Sequence, residues 1–175
     1  MGKRRKAREC ALQILFQLEF TEGELSSVFS DYWKHQKQPA EVKEYAEWLV
    51  RGIRQHQAEV DRKIQEASKN WRLERMANVD RNVLRIAVFE MLYEKNLAPP
   101  IIINEAIEVA KKFSGQEAGV FINGILDGVY RNLKKQGQMP EWPSDENKKG
   151  EEDGQEEKQI NKPENKSEEE VKENE

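Results

Sequence analysis

The sequence predicts an all-α protein of about seven helices joined by short loops. Apolar residues recur at helical spacing as far as Leu133, and no stretch of useful length alternates polar and apolar side chains as a half-buried strand does. The best strand candidate, residues 101–103, consists of three isoleucines that directly follow Pro99 and Pro100. Such a short run after two prolines favours the start of a helix.

Four helices are predicted in the first half of the chain. The first has an apolar stripe at i, i+3, i+4, i+7, i+8 and i+11, formed by Ala7, Cys10, Ala11, Ile14, Leu15 and Leu18. The next two stripes comprise Leu25, Val28, Phe29 and Tyr32, and then Val42, Tyr45, Ala46, Leu49, Val50 and Ile53. Pro39 can open the third helix. A weaker stripe of Val60, Ile64 and Ala67 should end near residues 68–70.

Three longer helices are predicted in the second half. Asn78 or Asp80 can cap a helix whose stripe includes Val83, Leu84, Ala87, Val88, Met91 and Leu92. Pro99 and Pro100 forbid its continuation. The next helix carries Ile103, Ala106, Ile107 and Ala110 and should end at Ser114 and Gly115. The last runs roughly over residues 116–134, where Gly124 and Gly128 share a face and indicate close helix packing or, as the less favoured alternative, a ligand loop.

The formal net charge of −4 conceals an uneven charge distribution. Residues 141–175 contain 14 acidic and 6 basic residues, a net charge of −8, so residues 1–140 carry +4. With three apolar side chains (Trp142, Ile160 and Val171), this acidic tail cannot offset its ordering entropy, and we predict that it is disordered. Near the N-terminus five bases oppose Glu9 alone: Lys3, Arg4, Arg5, Lys6 and Arg8.

Several functional classes are disfavoured by the sequence. There is no apolar run long enough to span a membrane and no signal-peptide core, and the single Cys10 suits a reducing cytosol, so we expect a cytoplasmic protein. Phosphate-binding glycine motifs and a zinc-protease motif are absent, while His35 and His56 lie in polar stretches typical of surface histidines. We expect neither an enzyme nor a cofactor or small-molecule substrate, and Cys10 should be a buried, inert thiol.

The basic N-terminus is the feature that indicates a function. A helical wheel places four residues on the face opposite the apolar stripe, namely Arg5, Arg8, Leu12 and Phe16. Arginines can bind phosphate while an exposed ring stacks on an unpaired base, so this face predicts a contact with RNA. Two alternatives remain: Phe16 packs against another helix, or the bases form a solubilising end.

Four segments resemble the NusB family of transcription antitermination factors. They are RRKARECA (residues 4–11) followed by Leu15 and Phe16, DRNVLRIAVFEM (residues 80–91), INEAIEVAKKF (residues 103–113) and FINGILD (residues 121–127). The resemblance implies a helical domain over residues 1–140, with subdomains at about 1–75 and 76–140. It also implies binding of the boxA element of nascent ribosomal RNA together with the small-subunit ribosomal protein NusE, in a complex that helps RNA polymerase resist termination.

The resemblance further implies an RNA-binding set: Lys3, Arg4, Arg5, Lys6, Arg8, Phe16, Asp80 and Glu117. Relatives often have tyrosine where this chain has Phe16, so stacking could persist without the hydroxyl's hydrogen bond. Asp80 could accept a hydrogen bond from a base amino group or cap its helix. Val120 occupies a position that is commonly basic in the family. Asn104 and Asn123 belong to the family signatures, and we predict that both are buried and bond the backbone.

Two other functions are compatible with a helical body of this kind. One is a protein-binding scaffold with weakened RNA binding, which Val120 and the hydroxyl missing at Phe16 favour. The other is a relative of the similar helical domain at the front of certain RNA cytosine methyltransferases. Such an enzyme would need a downstream cofactor-binding α/β domain, whereas this chain continues into a polar tail.

Overall fold

The computed structural model describes residues 2–139, so the acidic tail predicted over residues 141–175 lies outside the described residues. The described residues form seven α-helices and no strand, which confirms the all-α prediction. The helices are α1 (Lys3–Leu18), α2 (Leu25–His35), α3 (Ala40–Gln55), α4 (Gln57–Ala67), α5 (Asn78–Tyr93), α6 (Pro99–Ser114) and α7 (Gln116–Lys135), with a short 3₁₀ turn at Leu73–Arg75. None of the described helices is long and apolar enough to cross a membrane.

Helix ends follow the local signals, with one exception. Pro99 and Pro100 begin α6, and Gly115 separates α6 from α7 with φ 99°, a left-handed conformation that glycine adopts without a steric penalty. The exception is the start of α5, where the capping position is Ala77 and no side chain caps the helix. The predicted capping role of Asn78 or Asp80 is therefore wrong.

Helix α5 is the central helix of the described region. It contacts α1, α3, α4, α6 and α7, and every residue from Asn82 to Met91 is buried. Because α5 is covered on all sides, its polar residues Asn82, Arg85 and Glu90 are buried too, and a buried charge is tolerated only when it is paired. The predicted apolar stripes of α1, α3, α6 and α7 pack around it in one core. The subdomain boundary near residue 75 stays a prediction.

Close helix packing occurs at three glycines, Gly52, Gly119 and Gly128, but not at every glycine expected. Gly128 faces Ala67 of α4, and a Cβ at Gly128 would lie 3.3 Å from the Ala67 Cβ, which confirms the predicted close approach. At Gly124 a Cβ would meet no atom within 4 Å, so the same prediction is wrong there. The closest approach is at Gly52 of α3, where a Cβ would lie 2.0 Å from the Phe89 ring.

Asn104 and Asn123 are both exposed, which overturns the prediction that they are buried and bonded to the backbone. Each lies on the outer side of its helix, directly after a residue that does face the core: Ile103 precedes Asn104, and Ile122 precedes Asn123. Cys10, in contrast, is buried as predicted, and its side chain is 1 % exposed.

Candidate nucleic-acid interface

All five N-terminal bases of α1 lie close to carboxylates. Four of them keep part of the side chain in solvent, with 63 % of Lys3, 46 % of Arg4, 34 % of Arg5 and 37 % of Lys6 exposed. The nearest carboxylate is Glu41 of α3 for Lys3 (2.5 Å), Glu94 after α5 for Arg4 (4.0 Å), Glu105 of α6 for Arg5 (2.7 Å) and Glu9 of α1 for Lys6 (3.8 Å). The positive charge that the sequence concentrates at this end is thus largely compensated, by Glu9 of α1 itself and by acidic residues outside α1.

Arg8 is the base that the structure removes from the surface. Only 3 % of its side chain is exposed, and its Nε donates hydrogen bonds to both Glu90 oxygens at 3.0 and 2.9 Å. Tyr45 donates a further hydrogen bond to Glu90 at 2.6 Å. Burial by itself would lower the pKa of Arg8, but the hydrogen bonds and charge of Glu90 outweigh it and raise the pKa above its ordinary value. Arg8 therefore holds α1 against α5.

The predicted exposed face of α1 is wrong at two of its four positions. Arg8 is buried, and so is Leu12, whose side chain is 2 % exposed. The reason is that α1 contacts α2, α3, α5 and α6, so its buried surface extends well beyond the single apolar stripe. Only Arg5 and Phe16 of that face reach solvent.

Arg5 and Glu105 form the best-defined ion pair at the surface of this end. The Arg5 Nε and Nη2 donate to the two carboxylate oxygens of Glu105 at 2.8 and 2.7 Å, a bidentate geometry. The hydrogen bonds from Arg5 lower the pKa of the Glu105 carboxyl below its ordinary value, so the carboxylate stays charged in mildly acidic solution. A phosphate that approaches Arg5 must therefore share it with Glu105.

Arg4 lines a groove that remains open beside these pairs. The groove has a volume of about 310 Å³ and lies between the start of α1 and the start of α6, with Leu97 and Ile101 as apolar walls. The Arg4 guanidinium lies 5.2 Å from the centre of the Tyr45 ring, a cation–π contact that restrains its position. Half of the Ile101 side chain is exposed at the same groove.

Phe16 lies at the opposite end of α1, about 18 Å from Arg4 along the helix axis. Phe16 is 42 % exposed and does not belong to the core, while the alternative that it packs against another helix stays a hypothesis. It contacts Phe20, which is 70 % exposed, with the ring centres 5.3 Å apart. Phe20 was not predicted from the sequence, although its i+4 spacing from Phe16 was a usable signal.

A polar network holds this end of α1 against α5. One oxygen of Glu19 lies 3.2 Å from both Arg81 and Arg85 and accepts a bond from the Asn82 amide at 3.3 Å. Arg85 in turn makes a bidentate pair with Asp61 of α4, at 2.7 and 3.0 Å. This network was not predicted from the sequence, because its members are distant in the chain.

The two predicted acidic residues differ in their surroundings. Asp80 is half-buried in the first turn of α5, and its Oδ1 is buried without a hydrogen-bond partner among the described residues. Such an atom is rare in a folded protein because leaving it unpaired costs free energy. Glu117 is exposed in the first turn of α7, and Val120 one turn later is 79 % exposed.

The NusB family model, described as "NusB family", matches residues 5–131. The chain belongs to the NusB family. A NusB transcription antitermination protein of Anaeromyxobacter dehalogenans is 46 % identical over 133 residues, which cover 75 % of this chain and 93 % of that protein. A NusB protein of Syntrophus aciditrophicus is 38 % identical and covers 81 % of this chain and 88 % of its own length.

Solved NusB structures share the fold. The NusB structure from T. maritima has a TM-score of 0.66 and 36 % identity, covering 73 % of this chain and 90 % of that chain. A chain from a crystal structure of the antitermination factors NusB and NusE in complex with dsRNA has a TM-score of 0.68 and 26 % identity, covering 75 % of this chain and 98 % of its own. Both solved chains are therefore matched over nearly their whole length.

Proposed function

We propose that this protein is a transcription antitermination factor that binds the boxA element of nascent ribosomal RNA together with the ribosomal protein NusE, and that the complex helps RNA polymerase resist termination. Membership of the NusB family supports the proposal, as do relatives named for antitermination and a similar structure that contains NusE and RNA.

One structural observation carries the assignment of the RNA site. The same helix, α1, presents exposed lysine and arginine side chains in its first two turns and an exposed aromatic ring in its last turn. In this arrangement Lys3, Arg4 and Lys6 bind phosphates and Phe16 stacks on a nucleobase. Arg5 also binds phosphate, while it remains paired to Glu105. Arg8 acts as a positioning residue, because its guanidinium is buried against Glu90.

The two acidic residues take a different role in this proposal. A carboxylate repels phosphate but accepts hydrogen bonds from the exocyclic amino group of a base. The exposed carboxylate of Glu117 is suited to that role and would select among bases, and the half-buried Asp80 carboxylate would do so through its other oxygen, because its Oδ1 is closed off from solvent. The competing function, a protein scaffold with weakened RNA binding, is favoured by the exposed Val120 and by the many acids beside the N-terminal bases.

A charge-neutral triple variant tests the phosphate contacts. We expect Lys3→Gln/Arg4→Gln/Lys6→Gln to weaken binding of a boxA RNA in the presence of NusE and to reduce the slope of log K against log salt by about 2, or roughly 0.7 for each phosphate that is no longer bound. Fluorescence anisotropy across a salt series measures both quantities. The matched control, Lys34→Gln/Lys37→Gln/Arg54→Gln, removes the same charge from residues elsewhere and should leave the slope close to that of the wild type. Equal slopes for all three proteins would contradict the site.

A second variant tests stacking at Phe16. We expect Phe16→Ala to weaken binding of the same RNA by about 1–3 kcal/mol, because an aromatic platform contributes that much per stacked base. Because Phe16 lies outside the core, the unfolding midpoint of the Phe16→Ala variant in urea should stay near that of the wild type. Phe16→Tyr is the matched control and should bind at least as well as the wild type. An unfolding defect without a binding defect would refute a stacking role.

A further inference from the structure

Helix α3 reaches the start of α1 through two residues that lie one turn apart. Glu41 pairs with Lys3, and the face of the Tyr45 ring lies 5.2 Å from the Arg4 guanidinium. The two helices pack against each other, so both contacts are made between fixed backbones. Tyr45 is therefore the partner that α3 supplies to the arginine at the open groove.

Arg4 is held in a different way from the other two arginines of α1. Its Nη2 lies 4.0 Å from the Glu94 carboxylate, which is too long for a hydrogen bond, whereas Arg5 and Arg8 both donate to carboxylates at 3.0 Å or less. A carboxylate occupies the N–H donors of a guanidinium. The face of an aromatic ring attracts the positive charge and leaves those donors available for a phosphate.

The Tyr45 ring is itself anchored in the fold. Its hydroxyl donates a hydrogen bond to Glu90 at 2.6 Å, and burial, followed by the charge of Glu90, raises the pKa of Tyr45, so that the hydroxyl stays protonated. The ring also contacts Trp48, with ring centres 5.3 Å apart, and Trp48 contacts the buried Phe89 ring at 4.9 Å. A flexible arginine side chain thus rests on a ring that is fixed to the core.

We propose that Tyr45 is a positioning residue for RNA binding, whose anchored ring holds the Arg4 guanidinium at the groove with its N–H donors free for a phosphate. Restraining a long side chain before binding reduces the conformational entropy that binding must remove. Tyr45 acts through Arg4 and makes no contact with RNA itself. The inference rests on the proposed function, since the ligand is the boxA RNA that α1 binds.

Three replacements of Tyr45 separate its ring from its hydroxyl. Tyr45→Phe should unfold at a lower urea concentration, because Glu90 loses a hydrogen bond, but should bind boxA RNA with NusE like the wild type. Tyr45→Leu should weaken that binding about two- to fivefold, the equivalent of one exposed cation–π contact. Pentafluorophenylalanine at position 45 keeps the shape of the ring but reverses its quadrupole, and should weaken binding to a similar extent. Fluorescence anisotropy measures the affinities, and far-ultraviolet circular dichroism verifies that each variant is folded.

A double-mutant cycle tests whether Tyr45 acts through Arg4. Tyr45→Leu should cause no further loss of affinity in an Arg4→Gln protein, because the side chain that it positions is already absent. The matched background is Lys6→Gln, in which Tyr45→Leu should keep its full effect, since Lys6 pairs with Glu9 instead. In the free protein, the nuclear magnetic resonance signals of the Arg4 δ-protons should be shifted upfield by the ring in the wild type and in Tyr45→Phe, and not in Tyr45→Leu.

Two results would overturn the positioning role. One is an RNA affinity of Tyr45→Phe as low as that of Tyr45→Leu, which would trace the loss to the hydroxyl and hence to the stability of the fold. The other is an equal effect of Tyr45→Leu with and without Arg4. Failure of the wild type to bind boxA RNA in the presence of NusE would instead refute the proposed function itself.

Discussion

Removing either partner of the Arg8–Glu90 pair is expected to destabilise the protein by about 3–5 kcal/mol, because it leaves the other charge buried and uncompensated. Arg8→Met would leave the Glu90 carboxylate with only the Tyr45 hydroxyl, and Glu90→Leu would leave the Arg8 guanidinium with Glu105 at 3.4 Å. Urea unfolding followed by far-ultraviolet circular dichroism measures the change. A pair this deeply buried, with 3 % and 1 % of the side chains exposed, has no access to solvent screening.

The double variant Arg8→Met/Glu90→Leu separates structure from RNA binding. Replacing both charges with apolar residues should recover most of the lost stability, since replacement of a buried pair is often close to neutral. Replacing both members of the exposed pair Asp31 and Lys34 with apolar residues should change the free energy of unfolding by less than about 0.5 kcal/mol. We expect the double variant to bind boxA RNA like the wild type. A stable double variant with weakened RNA binding would show that Arg8 contacts RNA directly.

Gly52→Val is expected to destabilise the protein by about 3 kcal/mol or more, because any side chain there overlaps the Phe89 ring. The Cβ alone would lie 2.0, 2.5 and 2.7 Å from three ring carbons, and the ring, itself 2 % exposed, is enclosed by the core. Either α3 moves away from α5 or Phe89 leaves its rotamer. The same urea titration measures the change in stability.

A double-mutant cycle identifies the cause of that destabilisation. The double variant Gly52→Ala/Phe89→Leu should lose about 0.5–3 kcal/mol less unfolding free energy than the two single variants lose together. The reason is that leucine at position 89 is smaller than phenylalanine and relieves the overlap. Gly124→Ala makes the matched change in the middle of another helix, where a methyl group meets open space, and should be neutral or stabilising. If the two single losses of unfolding free energy add up to that of the double variant, the overlap with Phe89 is not the cause of the destabilisation.

Helix positions were predictable because their signals are local. The stripe of α1, the prolines that begin α6 and the glycine that ends it each act within a few residues, and the structure confirms all three. Predictions that needed the surroundings of a helix were less successful. Leu12 and Arg8 were expected at the surface and are buried, whereas Asn104 and Asn123 were expected in the core and are exposed.

The candidate site was partly visible in the sequence. The cluster of bases and the Phe16 ring could be found because they lie on one helix, and the NusB resemblance added Asp80 and Glu117. Phe20 was missed although its i+4 spacing from Phe16 was a usable signal, because spacing by itself does not show whether an aromatic residue is exposed or in the core. Contacts between distant segments could not be predicted either, since Arg5 and Glu105 are 100 positions apart in the chain and meet only in space.

The sequence by itself determined the all-α class, the order of the helices and the accumulation of basic residues at the start of α1. Only the tertiary structure decided which of those bases can meet a ligand. The basic side chains are paired by carboxylates from other parts of the chain. Glu41 of α3 pairs with Lys3, Glu90 of α5 with Arg8, Glu94 just after α5 with Arg4, and Glu105 of α6 with Arg5. Helical periodicity depends on neighbours along the chain, but electrostatic pairing depends on distance in space, so Arg8 is withdrawn into a buried pair while Lys3, Arg4 and Lys6 remain accessible.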